Sequence, residues 1–399
     1  MSASPEQSIH VGVALGGAGR HPAAWRLESA RPTELVSAKY WIDQVRLAEQ
    51  GLLDLVTIED SFSLSDSSSL SGSSTAVTDG RVDLAVGHLD STLIAARLAL
   101  ATDRIGLVPT AVTTHTEPFH VSKAIASLDH ASYGRAGVRL RITNRPDDTA
   151  LFGRRPTAEP IPDLLAEAAD HAEVLRRLWD SWEDDAEIRD IATGRFIDRD
   201  KLHYIDFQGA FFSVRGPSIT PRPPQGQPII AALSHSADVH RFVGGSADLA
   251  FVTPTDATDA HDIVAEIDRA RVEAGRDDAV RVLADLTVFL GDTRAQARAH
   301  RDLLDEWLGT EFADDAAVVV GTPSDVADRI AELVDPATGV AGVRLRPGAV
   351  PLDLEAIVAG VVPELQRRGL FRTNYTETTL RGHLRLPRPA NRYAGLVTA

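Results

Sequence analysis

Polar side chains follow several short apolar segments of the sequence, at the points where those segments end. Asp60 follows LLDLVTIE, and two threonines follow RIGLVPTAV. A Ser-His-Ser run at 234–236 precedes a predicted helix, whose free N–H groups attract anions such as phosphate. Each group also has a purely structural interpretation, because Asp60 could cap a loop, the threonines could end a strand and the serines could cap the helix. The candidate ligand-binding residues are Asp60, Thr113, Thr114, Ser234, His235 and Ser236.

The residue types exclude several kinds of catalytic site. The chain has no cysteine, which excludes disulfides, thiolate metal sites and cysteine nucleophiles. No GxSxG motif occurs, so we do not expect a serine hydrolase built on a nucleophile elbow. His115, Glu117 and His120 are residue types that bind metals, but they lie in one short segment. No ligand from another part of the sequence can be identified, so we expect no metal site. These patterns assign no catalytic residue.

The charge balance restricts the possible partners. Asp and Glu total 57 against 41 Lys and Arg, which gives a net charge of −16. A field of this sign repels phosphate backbones and anionic lipids, so nucleic acid and membrane surfaces are not expected partners. The amino-terminal segment MSASPEQSIH has no apolar core of a signal peptide, and no segment reaches the length of a membrane-spanning helix. We therefore expect a cytoplasmic protein.

Apolar segments alternate with segments of helical periodicity along the chain. Most apolar segments are unbroken, as in strands that are buried on both faces of a parallel sheet. Right-handed crossovers would close eight such units into an α/β fold, a (β/α)8 TIM-like barrel with insertions. An open doubly wound sheet is less favoured, because no strand is followed by a GxGxxG turn. The predicted strands are His10–Leu15, Leu53–Glu59, Ile105–Thr110, Gly137–Thr143, Pro228–Ala232, Leu249–Thr253, Val280–Leu290 and Gly342–Arg346.

We interpret residues 1–399 as one domain. Three of its segments are additional to the eight strand–helix units of a barrel. A Ser-rich stretch at 61–80 predicts a loop insertion at the carboxyl end of the barrel. A second insertion at 183–226 contains HYIDFQGAFFSVRG, which predicts a hairpin, and a Pro-rich exit. A polar tail at 381–399 is expected to wrap over a neighbouring surface or subunit.

Several segments together resemble the luciferase-like flavin-dependent monooxygenases, in particular the nitrilotriacetate and alkanesulfonate monooxygenase-type branch. These segments are TIEDSF, RIGLVPTAVTTHTEPFHVSKAIASLDHASYGRAG, LRRLWDSWEDDAEIRD and HYIDFQGAFFSVRGPSITPRPPQGQP. The resemblance covers most of the chain, from about residue 10 to about residue 392. It implies a TIM-like barrel whose carboxyl end binds reduced FMN, which reacts with dioxygen and oxygenates a small organic substrate. It also implies a separate flavin reductase that supplies the reduced FMN.

The resemblance assigns the candidate residues only in part. Asp60 matches a flavin-contacting aspartate of the family, Thr113 or Thr114 matches its Ser-Thr-Thr motif, and Ser236 matches the serine of its phosphate turn. Several positions differ from the family pattern. The chain has Val138-Arg139 in place of Trp-Asn, Ile161 and Leu165 in place of His and Tyr, and Val239 in place of a glycine.

These differences leave two alternatives open. The chain could be an oxidoreductase of the same fold that uses a deazaflavin coenzyme, or a non-catalytic paralogue that serves as a partner subunit. The monooxygenase remains the main prediction, with a small organic molecule, dioxygen and a flavin reductase as partners. We also expect a homo-oligomer, namely a homodimer or a larger assembly.

Overall fold

The computed structural model describes residues 8–63, 82–153, 155 and 159–394. Nine of the described strands form one parallel sheet, and four form two small antiparallel hairpins. The strands are β1 His10–Leu15, β2 Leu55–Ile58, β3 Gly106–Val112, β4 Gly137–Arg141, β5 Glu187–Asp190, β6 Arg195–Ile197, β7 Phe207–Gln208, β8 Ser213–Val214, β9 Ile229–Ser234, β10 Leu249–Val252, β11 Arg281–Leu290, β12 Ala317–Gly321 and β13 Gly342–Pro347.

Helices connect the parallel strands and cover the outside of the sheet. The described α-helices are α1 Ala38–Gln50, α2 Ser91–Ala99, α3 Pro118–Ala131, α4 Pro146–Phe152, α5 Ile161–Asp180, α6 Ala237–Ser246, α7 Ala257–Glu273, α8 Arg294–Leu308, α9 Pro323–Leu333, α10 Leu352–Ala356, α11 Val362–Arg367 and α12 Leu380–His383. A π-helical turn at Ile357–Val361 joins α10 to α11. No helix in the described part of the chain is long and apolar enough to cross a membrane.

Eight parallel strands close into a barrel, which confirms the predicted fold. Their order is β1-β2-β3-β4-β9-β10-β11-β13, and β13 pairs with β1 to close the ring. These eight strands correspond to the eight predicted from the sequence, with bounds that differ by a few residues. The open doubly wound alternative is therefore wrong.

A ninth strand, β12, was not predicted. It pairs with the carboxyl half of β11, where Leu286 lies opposite Ala317 and Leu290 lies opposite Gly321. The amino half of the same ten-residue strand pairs with β10 instead. The length of β11 therefore allows it to close the barrel at one end and to bind an additional strand at the other.

Alternate residues of the barrel strands pack into separate apolar clusters. Val56 and Ile58 of β2 belong to the large cluster that includes the surrounding helices, whereas Leu55 belongs to a second, smaller cluster. This alternation is that of strands with one face inside the barrel and one face under the helices. The smaller cluster contains Leu55, Val108, Ile229, Leu249, Phe251 and Leu283 from the strands, together with Leu380, Leu384 and Leu386 from the carboxyl-terminal segment.

The predicted insertion at 183–226 contains two hairpins. The hairpin predicted from HYIDFQGAFFSVRG is present as β7 and β8, and a second hairpin of β5 and β6 precedes it. The predicted tail packs on this insertion within the same chain, since Asn391 Nδ2 donates to the Trp182 carbonyl at 2.8 Å and Tyr393 stacks on His203. The predicted loop at 61–80 lies outside the described residues, apart from 61–63.

Candidate active site

Four adjacent barrel strands place all of the predicted site residues at one end of the barrel. Asp60 follows β2, the two threonines follow β3, and Ser234 ends β9; β4 lies between β3 and β9. Because the strands are parallel, their carboxyl ends meet at the same rim, where active sites of such barrels lie. The candidate residues therefore share one arc of the rim.

Hydrogen bonds to the end of β4 bring Asp60, Thr113 and Thr114 together. Arg141 Nη1 donates to the Asp60 carbonyl at 3.1 Å, and the Thr113 N–H donates to the Arg141 carbonyl at 2.8 Å. The Thr143 N–H donates to Thr114 Oγ1 at 3.0 Å. Both threonine side chains are buried. These contacts fix the ends of β2, β3 and β4 relative to one another.

The carboxylate of Asp60 has a structural function in addition to any contact with a ligand. Its Oδ2 accepts a hydrogen bond from the N–H of Ser91, the first residue of α2, at 2.8 Å. Its Oδ1 lies 3.1 Å from His88 Nε2. A carboxylate at a helix amino terminus is favoured by the helix dipole. Asp60 therefore bonds the start of α2, whereas the sequence suggested that it caps a loop, and any role in binding a flavin would be additional.

The Ser-His-Ser run has unused hydrogen-bonding capacity. Ser234 is fully buried, and its hydroxyl has no hydrogen-bond partner among the described residues. Ser236 is the N-cap residue of α6, but its side chain makes no capping hydrogen bond. His235 and Ser236 are exposed. Two hydroxyls and the free N–H groups of the first helical turn are donors that suit a phosphate group.

Three of the positions that differ from the family pattern are apolar. Val239 and Leu165 are buried, and Ile161 is partly exposed at the first position of α5. None of these three side chains can donate a hydrogen bond. The residues present therefore fit a phosphate through the end of β9 and the start of α6, and Ile161 and Leu165 of α5 offer it no donor.

A network of ion pairs occupies the barrel interior near the same rim. Arg139 on β4 donates to Thr110 Oγ1 at 3.1 Å and forms an ion pair with Glu59. Arg344 on β13 lies 3.5 Å from Glu59 and donates to Asp285 on β11 at 2.7 Å. The guanidinium of Arg344 also lies 3.8 Å from the centre of the Phe251 ring. Three barrel strands are thus joined through buried charges.

The network continues to the other side of the barrel. Arg346 forms an ion pair with Asp285 and lies 2.5 Å from Asp315, and Arg20 lies 2.6 Å from Asp314. Four arginines and four carboxylates alternate, so the network has no net formal charge. Its members are Arg20, Arg139, Arg344, Arg346, Glu59, Asp285, Asp314 and Asp315.

The arginines keep the central carboxylate ionised. Complete burial of Asp285 opposes ionisation, but Arg344 and Arg346 more than offset this effect, so the pKa of Asp285 lies below its usual value. The sequence contained one signal for this network. Arg344 and Arg346 are two residues apart in a strand, so they share a face, and two buried arginines require carboxylate partners.

The residues considered for a metal site have other contacts. His115 stacks on Phe152 with ring centroids 4.6 Å apart, and Glu117 is the N-cap residue of α3. Within residues 8–63, 82–153, 155 and 159–394, no group of three or more His, Asp or Glu side chains is arranged to hold a metal ion.

Comparisons with known proteins identify the family. A family model for luciferase-like monooxygenases matches residues 19–338. N-acetyl-S-(2-succino)cysteine monooxygenase of Bacillus subtilis (strain 168) is 32% identical, and the alignment covers 98% of this chain and 99% of that protein. Nitrilotriacetate monooxygenase component A of Aminobacter aminovorans is 29% identical, with 97% of this chain and 98% of that protein covered.

A solved structure has the same fold over nearly its whole length. A riboflavin lyase with modified FMN and riboflavin superposes with a TM-score of 0.84 at 25% identity, and the match covers 97% of this chain and 98% of that one. The resemblance inferred from the sequence is confirmed. The chain belongs to the luciferase-like monooxygenase family.

Proposed function

We propose that this protein is a monooxygenase that binds reduced FMN at the carboxyl end of its barrel and oxygenates a small organic substrate. The observation that carries this proposal is the hydroxyl of Ser234, which is fully buried and has no partner among the described residues. A buried hydroxyl without a partner is costly, and a bound phosphate oxygen would satisfy it.

The phosphate of the flavin would lie at the start of α6. Ser234 and Ser236 would donate their hydroxyl hydrogens to phosphate oxygens, and the N–H groups of the first turn would add further donors. His235 is exposed beside them and could donate a third side-chain hydrogen bond. Because Ile161 and Leu165 offer no donors, α6 would supply most of the phosphate contacts.

The ring system of the flavin would lie toward β2, β3 and β4. Asp60, Thr113 and Thr114 would border it, since hydrogen bonds to the end of β4 already hold them together. When bound, the reduced flavin supplies the activation of dioxygen. The protein would orient the ring and substrate and exclude water, and the ion-pair network would form a rigid floor below them.

The reduced flavin would come from a separate flavin reductase, as the resemblance to the family implies. The name of the Aminobacter relative, component A, agrees with an enzyme of more than one component. We further propose that the protein works in the cytoplasm as a homo-oligomer.

Anaerobic titration of the purified protein with reduced FMN tests the proposal, with a reduced deazaflavin coenzyme titrated in parallel. We expect micromolar or tighter binding of reduced FMN. A clear preference for the deazaflavin would instead indicate a hydride-transferring oxidoreductase. Binding of neither coenzyme would indicate a non-catalytic partner subunit.

A further inference from the structure

Three aromatic rings lie together after the ends of β2, β3 and β4. Phe62, His115 and Phe152 each follow one of these strands in the chain. His115 and Phe152 stack with centroids 4.6 Å apart and planes 8° apart. Phe62 meets Phe152 edge-on, also at 4.6 Å. The rings, here called the aromatic cluster, therefore border the proposed flavin site.

A buried carboxylate fixes the aromatic cluster. Asp148 on α4 accepts hydrogen bonds from Ser63 Oγ at 3.0 Å and from Thr143 Oγ1 at 2.6 Å. Ser63 adjoins Phe62, and Asp148 lies four residues before Phe152, which is one helical turn. The hydrogen bond between Ser63 and Asp148 therefore links the segment that carries Phe62 to the helix that carries Phe152. Such supporting contacts are typical of a preformed binding surface.

The same rim has no excess of positive charge. The four arginines of the ion-pair network are matched by four carboxylates of the chain. Asp60 and Asp148 add two more carboxylates near the aromatic cluster, and Arg141 and Arg145 add two more arginines. A polycarboxylate substrate would compete with carboxylates of the chain for these arginines, and displacing the buried Asp285 or Asp314 from its arginine partners costs free energy.

We propose that the aromatic cluster determines substrate specificity and that the substrate is a neutral, planar aromatic or heteroaromatic molecule. The inference rests on the proposed function, because it places the substrate beside the flavin. Aromatic faces stack on planar ligands, and no charge on the ligand is required. Phe152 is 36% exposed, so part of its ring is accessible to such a ligand.

Calorimetric titration with two probes tests this inference, on protein with and without bound FMN. Dibenzothiophene sulfone represents neutral planar molecules, and nitrilotriacetate represents polycarboxylates. We expect the sulfone to bind more tightly, and Phe152→Ala to weaken it about tenfold through lost stacking. Phe152→Tyr should retain binding, because the ring remains.

Phe196→Ala serves as the matched control, because Phe196 is 64% exposed on β6 of the insertion. Equal losses in the two alanine variants, or tighter binding of nitrilotriacetate, would overturn the inference. The affinity of each variant for reduced FMN is measured separately. Normal FMN binding without preference for the sulfone refutes only the inference, whereas failure to bind FMN refutes the proposed function.

Discussion

Single residues at the rim differ in how far their hydrogen-bonding capacity is already used. Asp60 uses both carboxylate oxygens, on Ser91 and on His88. Ser234 uses none among the described residues, although it is fully buried. A ligand gains more binding free energy from a hydrogen bond with a donor that has no partner than from one with an acceptor that already has a partner. We therefore expect Ser234 to contribute more to flavin affinity than Asp60.

The first prediction concerns the contribution of Arg344 to the stability of the fold. Arg344→Met leaves Asp285 buried with only Arg346 as a charged partner, so we expect a loss of about 3 kcal/mol in the free energy of unfolding. Urea unfolding followed by circular dichroism measures this loss. Arg367→Met is the control, because Arg367 pairs with Glu364 at the surface and such exposed pairs contribute little to stability. Similar losses in both variants would contradict the prediction.

A second prediction concerns Asp248 and the dependence of protein stability on pH. Burial raises its pKa, but Arg176, Arg381 and other groups outweigh this effect and lower the pKa to about 2. Because the folded pKa is below the unfolded value of about 4, the ionised Asp248 stabilises the fold above pH 4, and this contribution is lost as the pH falls toward 2.

The variant Asp248→Asn isolates this contribution. We expect wild type to exceed the variant by roughly 2 kcal/mol at pH 7. The difference should shrink in urea titrations at pH 4, 3 and 2.5. A difference that stays constant over this range would show that Asp248 does not act through its charge.

The sequence indicated the arginines of the interior but not their partners. Arg344 and Arg346 lie two residues apart in a predicted strand, which places them on one face. Their partners Asp285 and Asp314 belong to other segments of the chain. Which carboxylate meets which arginine depends on how the barrel closes, and a pattern within one strand contains no information about that.

At the scale of elements, the carboxyl-terminal segment closes the barrel interior. Leu380, Leu384 and Leu386 pack in the same cluster as Leu55 and Phe251 from the strands. Arg281 at the start of β11 holds this segment through hydrogen bonds to the Leu384 and Arg385 carbonyls. The part from residue 381 onward was predicted as a polar tail, because its arginines and prolines conceal Leu384 and Leu386.

Leu384→Ala tests this role. Leu384 is fully buried, so we expect a loss of about 2–5 kcal/mol in the free energy of unfolding from lost packing and a new cavity. Thermal or urea unfolding measures the loss. Leu100→Ala is the control, since Leu100 is 77% exposed and should change stability by less than about 0.5 kcal/mol. A tail that did not seal the barrel would give two equally small changes.

Strand prediction succeeded where a segment is buried on both faces. Most of the eight barrel strands read as continuous apolar runs, and all eight are present. The strand that was not predicted, β12, has four half-buried residues and pairs only with the carboxyl half of β11. The formation of β12 depends on pairing with β11, and its own hydrophobic pattern does not indicate a strand.

At the scale of the whole molecule, the barrel interior is divided into two parts. Leucines, valines and Phe251 fill one part, and the ion-pair network fills the other near the rim. The chain carries a net charge of −16, but the network itself is balanced. In the proposed function, the ion-pair network would lie below the flavin ring, and the start of α6 would bind the phosphate.

The most direct test of this account compares reduced FMN with reduced riboflavin, which lacks the phosphate. Anaerobic titrations use wild type, a Ser234→Ala/Ser236→Ala double variant and Ser127→Ala, an exposed serine on α3, as the control. We predict that wild type and the control bind FMN at least about tenfold more tightly than riboflavin, and that the double variant loses most of this preference. Equal affinity of wild type for the two flavins, or an unchanged preference in the double variant, would contradict the account.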